Sequence, residues 1–317
     1  MSTRSTPALD AALLSQLRTF EIVAQRLSFT KAAQALNITQ SAVSQQVSQL
    51  EARLDYPLLL RRRGALTLTS KGTLLFECLT RSFLDIERTL KRLTSAETSL
   101  HVNCPPTLAL QWLVPRLADF HRAQPRITAR LKAEYHLLDR QTMYAEGIDV
   151  AVRFDPLQYD DVNAEPILDE YLVPVATRGY LARYPAFSAG ESMEGVTLLH
   201  DTEPWVGAPE FVEWRTWMQA RRPEWLDKLD GPQFNITILG IGAALNHQGV
   251  AMARSALVLD EIASGRLVPV FPLAVPAPGR YVMLTVQPDD PGVSTFSQWL
   301  KEECEQLAQQ RRSLLAC

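Results

Sequence analysis

Amide and hydroxyl side chains are concentrated on one face of a predicted helix near the start of the chain. The set is Gln40, Ser41, Ser44 and Gln45, with Thr39 at the start of the helix. A glutamine amide can form paired hydrogen bonds with an adenine edge, and a serine can contact bases or phosphates. The pattern therefore indicates sequence-specific contacts to DNA. A solvated polar helix face is the alternative.

Three consecutive arginines lie in a predicted surface turn. Arg61, Arg62 and Arg63 precede Gly64, and a short extended run flanks the turn on each side. This arrangement predicts a β-wing, and adjacent positive charges on one loop favour contact with phosphate groups.

Polar residues at predicted strand ends and helix starts form a candidate small-molecule site. The set is Thr107, Leu108, Arg153, Thr202, Asn235 and Thr237. Thr107 and Leu108 open a predicted helix whose N–H groups suit a carboxylate, and Arg153 ends a buried strand from which it could bind a carboxylate with two hydrogen bonds. Alternatively, Arg153 pairs with Asp155 or Asp149, and the threonines cap helices.

Patterns typical of catalysis are missing from the sequence. The five histidines show no HExxH spacing, and there is no GxSxG motif or P-loop. His200-Asp201 resembles half of a catalytic pair but has no nucleophile in register, and the four cysteines have no metal-binding spacing. We predict no catalytic residue, no metal site and no cofactor.

Charge is unevenly distributed along the chain. Residues 1–94 carry 13 Lys/Arg and 7 Asp/Glu, a net charge of +6, whereas the remainder carries 19 and 28, a net charge of −9. A basic N-terminal part on an acidic body suggests that only the former meets an anionic polymer. The sequence shows no apolar run of membrane-spanning length and no secretory signal, which predicts a cytoplasmic protein without a membrane partner.

The spacing of apolar residues predicts three helices around the polar face. Leu13, Leu17, Phe20, Ala24 and Leu27 recur at steps of three and four. A second helix over 29–36 follows a Ser28 cap, and the third buries Val43, Val47, Leu50 and Leu54. Two short helices joined by a tight turn are typical of a helix-turn-helix.

A longer helix is predicted from Thr69-Ser70 to about Leu93. Its apolar positions alternate at three and four residues, as in a coiled-coil seam: Phe76, Leu79, Phe83, Ile86, Leu90 and Leu93. The alternative is a helix packed on its own domain. Residues 94–99 are small and polar and predict a hinge.

Strands and helices alternate from Leu100 onward. Predicted strands include 127–133 and 149–153, and residues 171–176 cross into a second unit. Predicted helices include 295–309 and 108–122, the latter with Leu110, Leu113, Leu117 and Phe120 facing inward. The alternation predicts an α/β fold with mostly parallel sheets.

The segments SFTKAAQALNITQSAVSQQVSQLEARL and LTLTSKG, residues 28–54 and 66–72, closely resemble the LysR-type transcription regulators. The chain departs from the usual family pattern at Ser41, where Pro is common, at Gln45, where Arg or His is common, and at residues 56–60, where Gly-x-x-Leu-Phe is usual. The resemblance implies a winged helix-turn-helix over 1–70 and a dimerisation helix over 71–94.

The resemblance also implies a two-lobed α/β effector domain over 95–317, similar to type II periplasmic binding proteins. One lobe is expected over about 99–172 and 275–317, and the other over about 173–274. The implied partners are double-stranded DNA, a small-molecule effector, a second or further copies in a dimer or tetramer, and RNA polymerase as a candidate. Residues 105–125, 198–202 and 246–271 are most similar to the activators of glycine cleavage and D-serine deaminase, which implies an amino-acid effector. A ligand-independent architectural DNA-binding protein is the alternative.

Overall fold

A computed structural model describes residues 9–62, 65–94, 98–156 and 159–315. The chain divides into two compact units at the Thr94–Ser95 peptide. The elements of the first unit are α1 Ala11–Arg26, α2 Phe29–Leu36, α3 Gln40–Leu54, β1 Leu59–Arg62, β2 Ala65–Leu68 and α4 Ser70–Thr94.

The two helices of the helix-turn-helix are capped by the residues that the sequence predicts. The side chains of Ser28 and Thr39 accept hydrogen bonds from the backbone N–H groups of Lys31 (3.3 Å) and Ala42 (3.2 Å). Asn37 ends α2 in the left-handed conformation, with φ 54°. An Asn tolerates this conformation better than most residues, so the chain can reverse within a short turn.

The first unit packs α2 and α3 against α1 through small and branched side chains. Ala32, Ala33, Val43, Val47 and Leu50 are buried. The hairpin β1–β2 is antiparallel, with Leu59 opposite Leu68 and Arg62 opposite Ala65.

A carboxylate of α3 fixes the start of the hairpin. Glu51 Oε1 accepts hydrogen bonds from the N–H groups of Leu58 (2.7 Å) and Leu59 (3.1 Å). The first turn of α4 also contacts the start of the hairpin, where a Cβ on Gly72 would lie 2.1 Å from the carbonyl oxygen of Leu58. Only glycine therefore allows α4 to approach the hairpin so closely.

The apolar seam of α4 is buried in its first half and exposed in its second. Leu79 is buried, and Phe76 and Phe83 pack with it against the core of the same unit. Ile86 and Leu90 are 53% and 56% exposed. Packing on its own domain, the alternative considered from the sequence, thus applies to the first half of the seam.

The second unit is built on one nine-stranded sheet. Its strands are β3 Thr98–Cys104, β4 Ile127–Ala133, β5 Val150–Asp155, β6 Asn163–Ala176, β7 Leu198–Asp201, β8 Gln233–Phe234, β9 Val250–Arg254, β10 Val268–Pro269 and β11 Val275–Thr285. Its α-helices are α5 Pro106–Leu108, α6 Val114–Ala123, α7 Arg140–Glu146, α8 Arg178–Leu181, α9 Pro185–Ser188, α10 Val212–Arg221, α11 Thr237–Leu245, α12 Leu259–Ala263 and α13 Pro291–Leu314. Short 3₁₀ turns cover Pro223–Trp225 and Ser255–Leu257.

The sheet is mixed, so the prediction of mostly parallel sheets is wrong. Strand order is β4-β3-β5-β11-β6-β9-β7-β8, with β10 also paired to β6. The β3–β4, β3–β5, β7–β8 and β7–β9 ladders are parallel, whereas β6 and β11 pair antiparallel with each other and with β5, β9 and β10. Antiparallel pairing arises because β6 carries the chain from one lobe into the other and β11 carries it back.

A wide turn interrupts the helix predicted over 108–122. Residues Ala109–Leu113 form a π-helical turn between α5 and α6. Pro115 has no N–H to donate to residue 111, and its ring crowds that carbonyl, so the ladder widens here. The wider turn shifts the helical phase, and Leu110, which we expected to face inward, is 58% exposed.

The final helix also begins earlier than the predicted Thr295. Asp290 caps α13 by accepting a hydrogen bond from the N–H of Val293 (3.0 Å), and Pro291 occupies the first turn. Both residue types are favoured at these positions. None of the described helices has the length and apolar character that crossing a membrane requires.

Candidate functional site

The first turns of α3 present the predicted polar face to solvent. Gln40, Ser41 and Gln45 are exposed and Ser44 is half-buried, while the opposite side of the helix is buried. The hydroxyls of Thr39 and Ser41 lie 2.9 Å apart, so the cap residue also holds the first serine.

A hydrogen bond from the preceding helix orients the amide of Gln40. Thr30 Oγ1 donates to Gln40 Oε1 at 3.2 Å. This contact turns the amide NH₂ group of Gln40 away from Thr30, where it can donate hydrogen bonds. The sequence analysis missed Thr30, because the contact depends on how α2 crosses α3.

Two of the three predicted arginines lie at the end of β1 in the β1–β2 hairpin. Arg61 pairs with Leu66 and Arg62 with Ala65 in the ladder. Arg63 lies outside the described residues. The predicted wing is thus a two-stranded hairpin whose basic end follows α3 in the chain.

The second unit contains a cleft of about 230 Å³ near the ends of β7 and β9. The lining residues are Pro105, Pro106, Thr107, Tyr135, Asp201, Glu203, Pro204, Asn235, Ile236, Thr237 and Arg254. Three of the six predicted residues, Thr107, Asn235 and Thr237, are brought together here. Thr107 Oγ1 also accepts a hydrogen bond from the N–H of Ile238 (3.1 Å), which ties the first turn of α11 to α5.

The other three predicted residues lie away from the cleft lining. Leu108 is buried in the hydrophobic core. Thr202 donates its hydroxyl hydrogen bond to the carbonyl of Phe234 (3.0 Å) and thereby joins β7 to the end of β8.

Arg153 is buried beneath the segment that follows β4. Its Nε donates to the carbonyl of His136 (3.1 Å) and its Nη1 to the carbonyl of Val152 (2.7 Å). Its buried Nη2 has no hydrogen-bond partner among the described residues. Because β5 is covered on both faces, the side chain remains inside the lobe instead of reaching the cleft. Burial lowers the pKa of this guanidinium.

Arg254 at the end of β9 is the cationic residue of the cleft, and the sequence analysis missed it. Its Nη2 lies 3.3 Å from Asp201 Oδ2 and donates to Thr237 Oγ1, and its Nε lies 3.3 Å from Glu213 Oε1. The guanidinium also lies 4.3 Å from the centre of the Phe154 ring. Arg254 is 4% exposed. This arginine therefore links β7, α10 and α11 to β5.

Two carboxylates share this single buried cation. Asp201 also accepts hydrogen bonds from the N–H of Glu203 (3.1 Å) and from the hydroxyl of Thr237. Neither carboxylate oxygen of Glu213 has a hydrogen bond among the described residues. Burial raises the pKa of Glu213 to about 8, although Arg254 opposes the shift.

Glu213→Gln is expected to remove a pH dependence of stability. Glu213 has an ordinary pKa of 4.5 and a folded-state pKa of about 8. The folded protein therefore holds a proton that the unfolded chain releases, and this contribution to stability is lost as the pH rises from 4.5 to 8. Gln cannot ionise, so the variant should gain stability relative to the natural protein between pH 5.5 and pH 8.5.

Urea unfolding followed by tryptophan fluorescence at these two pH values measures the effect. All six tryptophans lie between residues 112 and 299, so the signal reports the second unit alone. Glu305→Gln, at an exposed position of α13, is the matched control. If the difference in unfolding free energy between Glu213→Gln and the natural protein were the same at both pH values, Glu213 would not be protonated in the folded protein.

His200, considered from the sequence as half of a catalytic pair, is a core residue. Its side chain is fully buried and lies 4.4 Å from the Phe211 ring and 6.3 Å from the Trp214 ring, centre to centre. Burial lowers its pKa to about 4, so the imidazole is neutral at physiological pH.

Comparison with known proteins finds two family models along the chain. Residues 14–73 match the bacterial regulatory helix-turn-helix protein of the lysR family, and residues 94–305 match the LysR substrate binding domain.

Curated relatives cover almost the whole chain. The HTH-type transcriptional regulator DsdC of Escherichia coli K12 is 32% identical over 299 residues, covering 93% of this chain and 95% of that protein. The glycine cleavage system transcriptional activator of the same organism is 32% identical over 292 residues, covering 90% and 92%.

Solved structures share the fold. ArgP from Mycobacterium tuberculosis superposes with a TM-score of 0.62 at 18% identity, covering 94% of this chain and 98% of ArgP. The effector domain of AmpR of Pseudomonas aeruginosa superposes with a TM-score of 0.55 at 26% identity, covering 68% of this chain and 98% of that domain.

Proposed function

Because the chain belongs to the LysR family of bacterial transcription regulators, we propose that it reads DNA with α3 and the β1–β2 hairpin and binds an amino acid in the cleft at Arg254. The chain combines a helix-turn-helix domain with an effector-binding domain, as its relatives do, and those relatives are regulators of transcription, not enzymes.

The exposed face of α3 supports the DNA-reading part of the proposal. Gln40, Ser41, Ser44 and Gln45 supply hydrogen-bonding groups at the start of the second helix of the motif, the part of a recognition helix that reaches base edges. Arg61 and Arg62 at the end of β1, with Arg63 next in the sequence, supply phosphate contacts.

The charge arrangement of the cleft carries the proposal about the effector. An amino acid has a carboxylate and an ammonium group a few ångströms apart. Arg254 offers a cation for the carboxylate, with Thr107 and Asn235 as further hydrogen-bonding groups. Glu203 and Asp201 offer anionic oxygens for the ammonium group. The role of one relative as the activator of the glycine cleavage system supports the same ligand class.

The size of the cleft limits the effector. A volume of about 230 Å³ suits a small metabolite. Arg153, also predicted from the sequence, lies behind the residues that line the cleft. We therefore assign Arg153 to positioning the segment at His136.

Self-association is supported by the exposed half of the seam on α4. Ile86 and Leu90 are large apolar side chains on one helix, and a second copy of α4 would cover them. A dimer presents two recognition helices, so the DNA site should be nearly palindromic. The proposal also includes a tetramer built from two such dimers. It further places the protein in the cytoplasm, in contact with RNA polymerase.

Gel-shift titration tests the proposed function directly. The probe is the DNA immediately upstream of this protein's own gene, compared with random DNA, across a salt series with and without glycine, D-serine and other amino acids. We expect salt-sensitive binding that prefers the upstream fragment, and a change in mobility with one amino acid. Equal binding to both DNAs would contradict specific reading.

Thermal unfolding with the same amino acids tests the cleft separately. A ligand that binds only the folded state must raise the midpoint of unfolding. If the protein binds the fragment specifically while no amino acid shifts the midpoint or the mobility, the sensing half of the proposal fails and an architectural DNA-binding role is favoured.

Arg62→Ala is expected to weaken binding to all DNA sequences. Loss of one phosphate contact removes one released counterion, so the slope of log affinity against log salt should fall by about 1. The measurement is a salt titration on the upstream fragment and on random DNA, with Arg312→Ala, at an exposed position of α13, as the control. An unchanged slope would exclude Arg62 from the DNA interface.

A further inference from the structure

Three metal-ligating side chains meet where β4 ends against α7. Glu134 and His136 follow β4, and Glu146 is the last residue of α7. One donor atom from each residue can be chosen so that all three lie within 4.8 Å of one another. His136 Nε2 lies 3.3 Å from Glu146 Oε1, and His136 Nδ1 lies 4.0 Å from Glu134 Oε2.

We propose that Glu134, His136 and Glu146 form a binding site for a divalent transition-metal ion, with Zn²⁺ as the representative ion. An imidazole nitrogen combined with two carboxylate oxygens is a donor set that suits Zn²⁺, and imidazole disfavours Mg²⁺ and Ca²⁺. The three residues leave a fourth position open for water or another ligand. This proposal is independent of the proposed effector site.

The spacing of the donor atoms requires only a small closure. Zn²⁺ binds nitrogen and oxygen at about 2.0–2.2 Å, which places tetrahedral donors roughly 3.4 Å apart. The contact between His136 and Glu146 already has this spacing. The side chains of Glu134, His136 and Glu146 are 40%, 33% and 32% exposed, so the Glu134 carboxylate has room to rotate toward the other two.

A protein cation already occupies the space between the two carboxylates. Lys132 Nζ lies 2.7 Å from Glu134 Oε2 and 3.4 Å from Glu146 Oε2. Its side chain is 55% exposed, and it can turn outward into solvent. Lys132 is therefore a competitor of the metal ion, and its replacement by an uncharged residue should strengthen metal binding.

The site lies next to residues that shape the cleft. Tyr135, between Glu134 and His136, lines the cleft, and the carbonyl of His136 accepts the hydrogen bond from buried Arg153. An ion that joins the end of β4 to the end of α7 would restrict this segment and, with it, the position of Tyr135.

Calorimetric titration of the full chain with ZnCl₂ after EDTA treatment tests the site. A Cys78→Ser, Cys317→Ser background removes two thiols that could compete for zinc, and MgCl₂ is the hard-cation comparison. We expect one Zn²⁺ per chain and no heat from Mg²⁺. His136→Ala and Glu146→Gln should weaken Zn²⁺ binding roughly tenfold or more, Lys132→Met should strengthen it, and His121→Ala, at an exposed histidine of α6, should leave it unchanged.

Lys132→Met distinguishes loss of the site from misfolding, because this variant is expected to bind Zn²⁺ more tightly and a misfolded protein would not. Circular dichroism checks that each variant is folded. Equal zinc affinity for the background protein and His136→Ala, weaker binding by Lys132→Met, or no saturable zinc binding by the background protein would each overturn the proposal.

Discussion

Gln40→Ala is expected to reduce specific DNA affinity roughly 5- to 150-fold for each half-site, since a paired hydrogen bond to a base contributes about 1–3 kcal/mol of discrimination. Gln40 is exposed at the first position of α3, and Thr30 orients its amide. Alanine is a good helix former, so the fold should not change. Binding to random DNA and the salt slope should stay nearly constant because no charge is removed.

Fluorescence anisotropy with the upstream fragment and a random duplex measures both quantities. Gln309→Ala removes an exposed glutamine from α13 of the second unit and serves as the matched control. A loss of equal size on both DNAs would show that Gln40 contributes to general affinity instead of base discrimination. The contrast with Arg62→Ala, which should affect both DNAs and the salt slope, separates the base-reading contacts from the phosphate contacts.

Arg254→Met is expected to destabilise the second unit by about 3–5 kcal/mol, the usual cost of removing one partner from a buried ion pair. Without the guanidinium, Asp201 and Glu213 lose their cationic partner in a buried site, and Phe154 loses its cationic neighbour. Amino-acid binding should also be lost, because Arg254 is the proposed carboxylate ligand.

Urea unfolding followed by tryptophan fluorescence measures this loss. The control is Arg122→Met, whose guanidinium pairs with Asp119 on the surface of α6 and is 79% exposed. An exposed pair contributes less than about 1 kcal/mol. If Arg254→Met were as stable as Arg122→Met, the buried cluster would not stabilise the fold.

The sequence by itself determined the local structure of the first unit. The Ser28 and Thr39 caps and the bounds of the helix over 29–36 agree with the structure because helices and their caps depend on residues three or four positions apart. The same short-range signals located the β4 strand over 127–133. The resemblance over residues 28–54 and 66–72 identified the family, which the comparisons confirm.

The tertiary structure decided the directions of the long strands. Local patterns located residues 171–176 of β6 but carry no information about which neighbour a strand selects. In the structure β6 pairs antiparallel with β9, β10 and β11, and β11 pairs antiparallel with β5 and β6. The helix over 106–123 differs from the prediction for a local reason. The wide turn before Pro115 rotates the side chains that precede it, so Leu110, which was expected to be buried, is exposed.

The composition of the cleft was likewise decided by the tertiary structure. Thr107, Asn235 and Thr237 were identifiable because helix starts and strand ends leave backbone and side-chain polar groups available for ligands. Arg254 and Asp201 lie 53 residues apart in the sequence and meet only because β7 and β9 are neighbours in the sheet. Arg153, by contrast, was predicted from the sequence to bind the ligand and does not line the cleft. It has the residue type and strand position of a ligand-binding arginine, but burial of β5 on both faces keeps its side chain inside the lobe. Residue type is a property of the sequence, whereas the direction and burial of a side chain depend on which strands pack beside it.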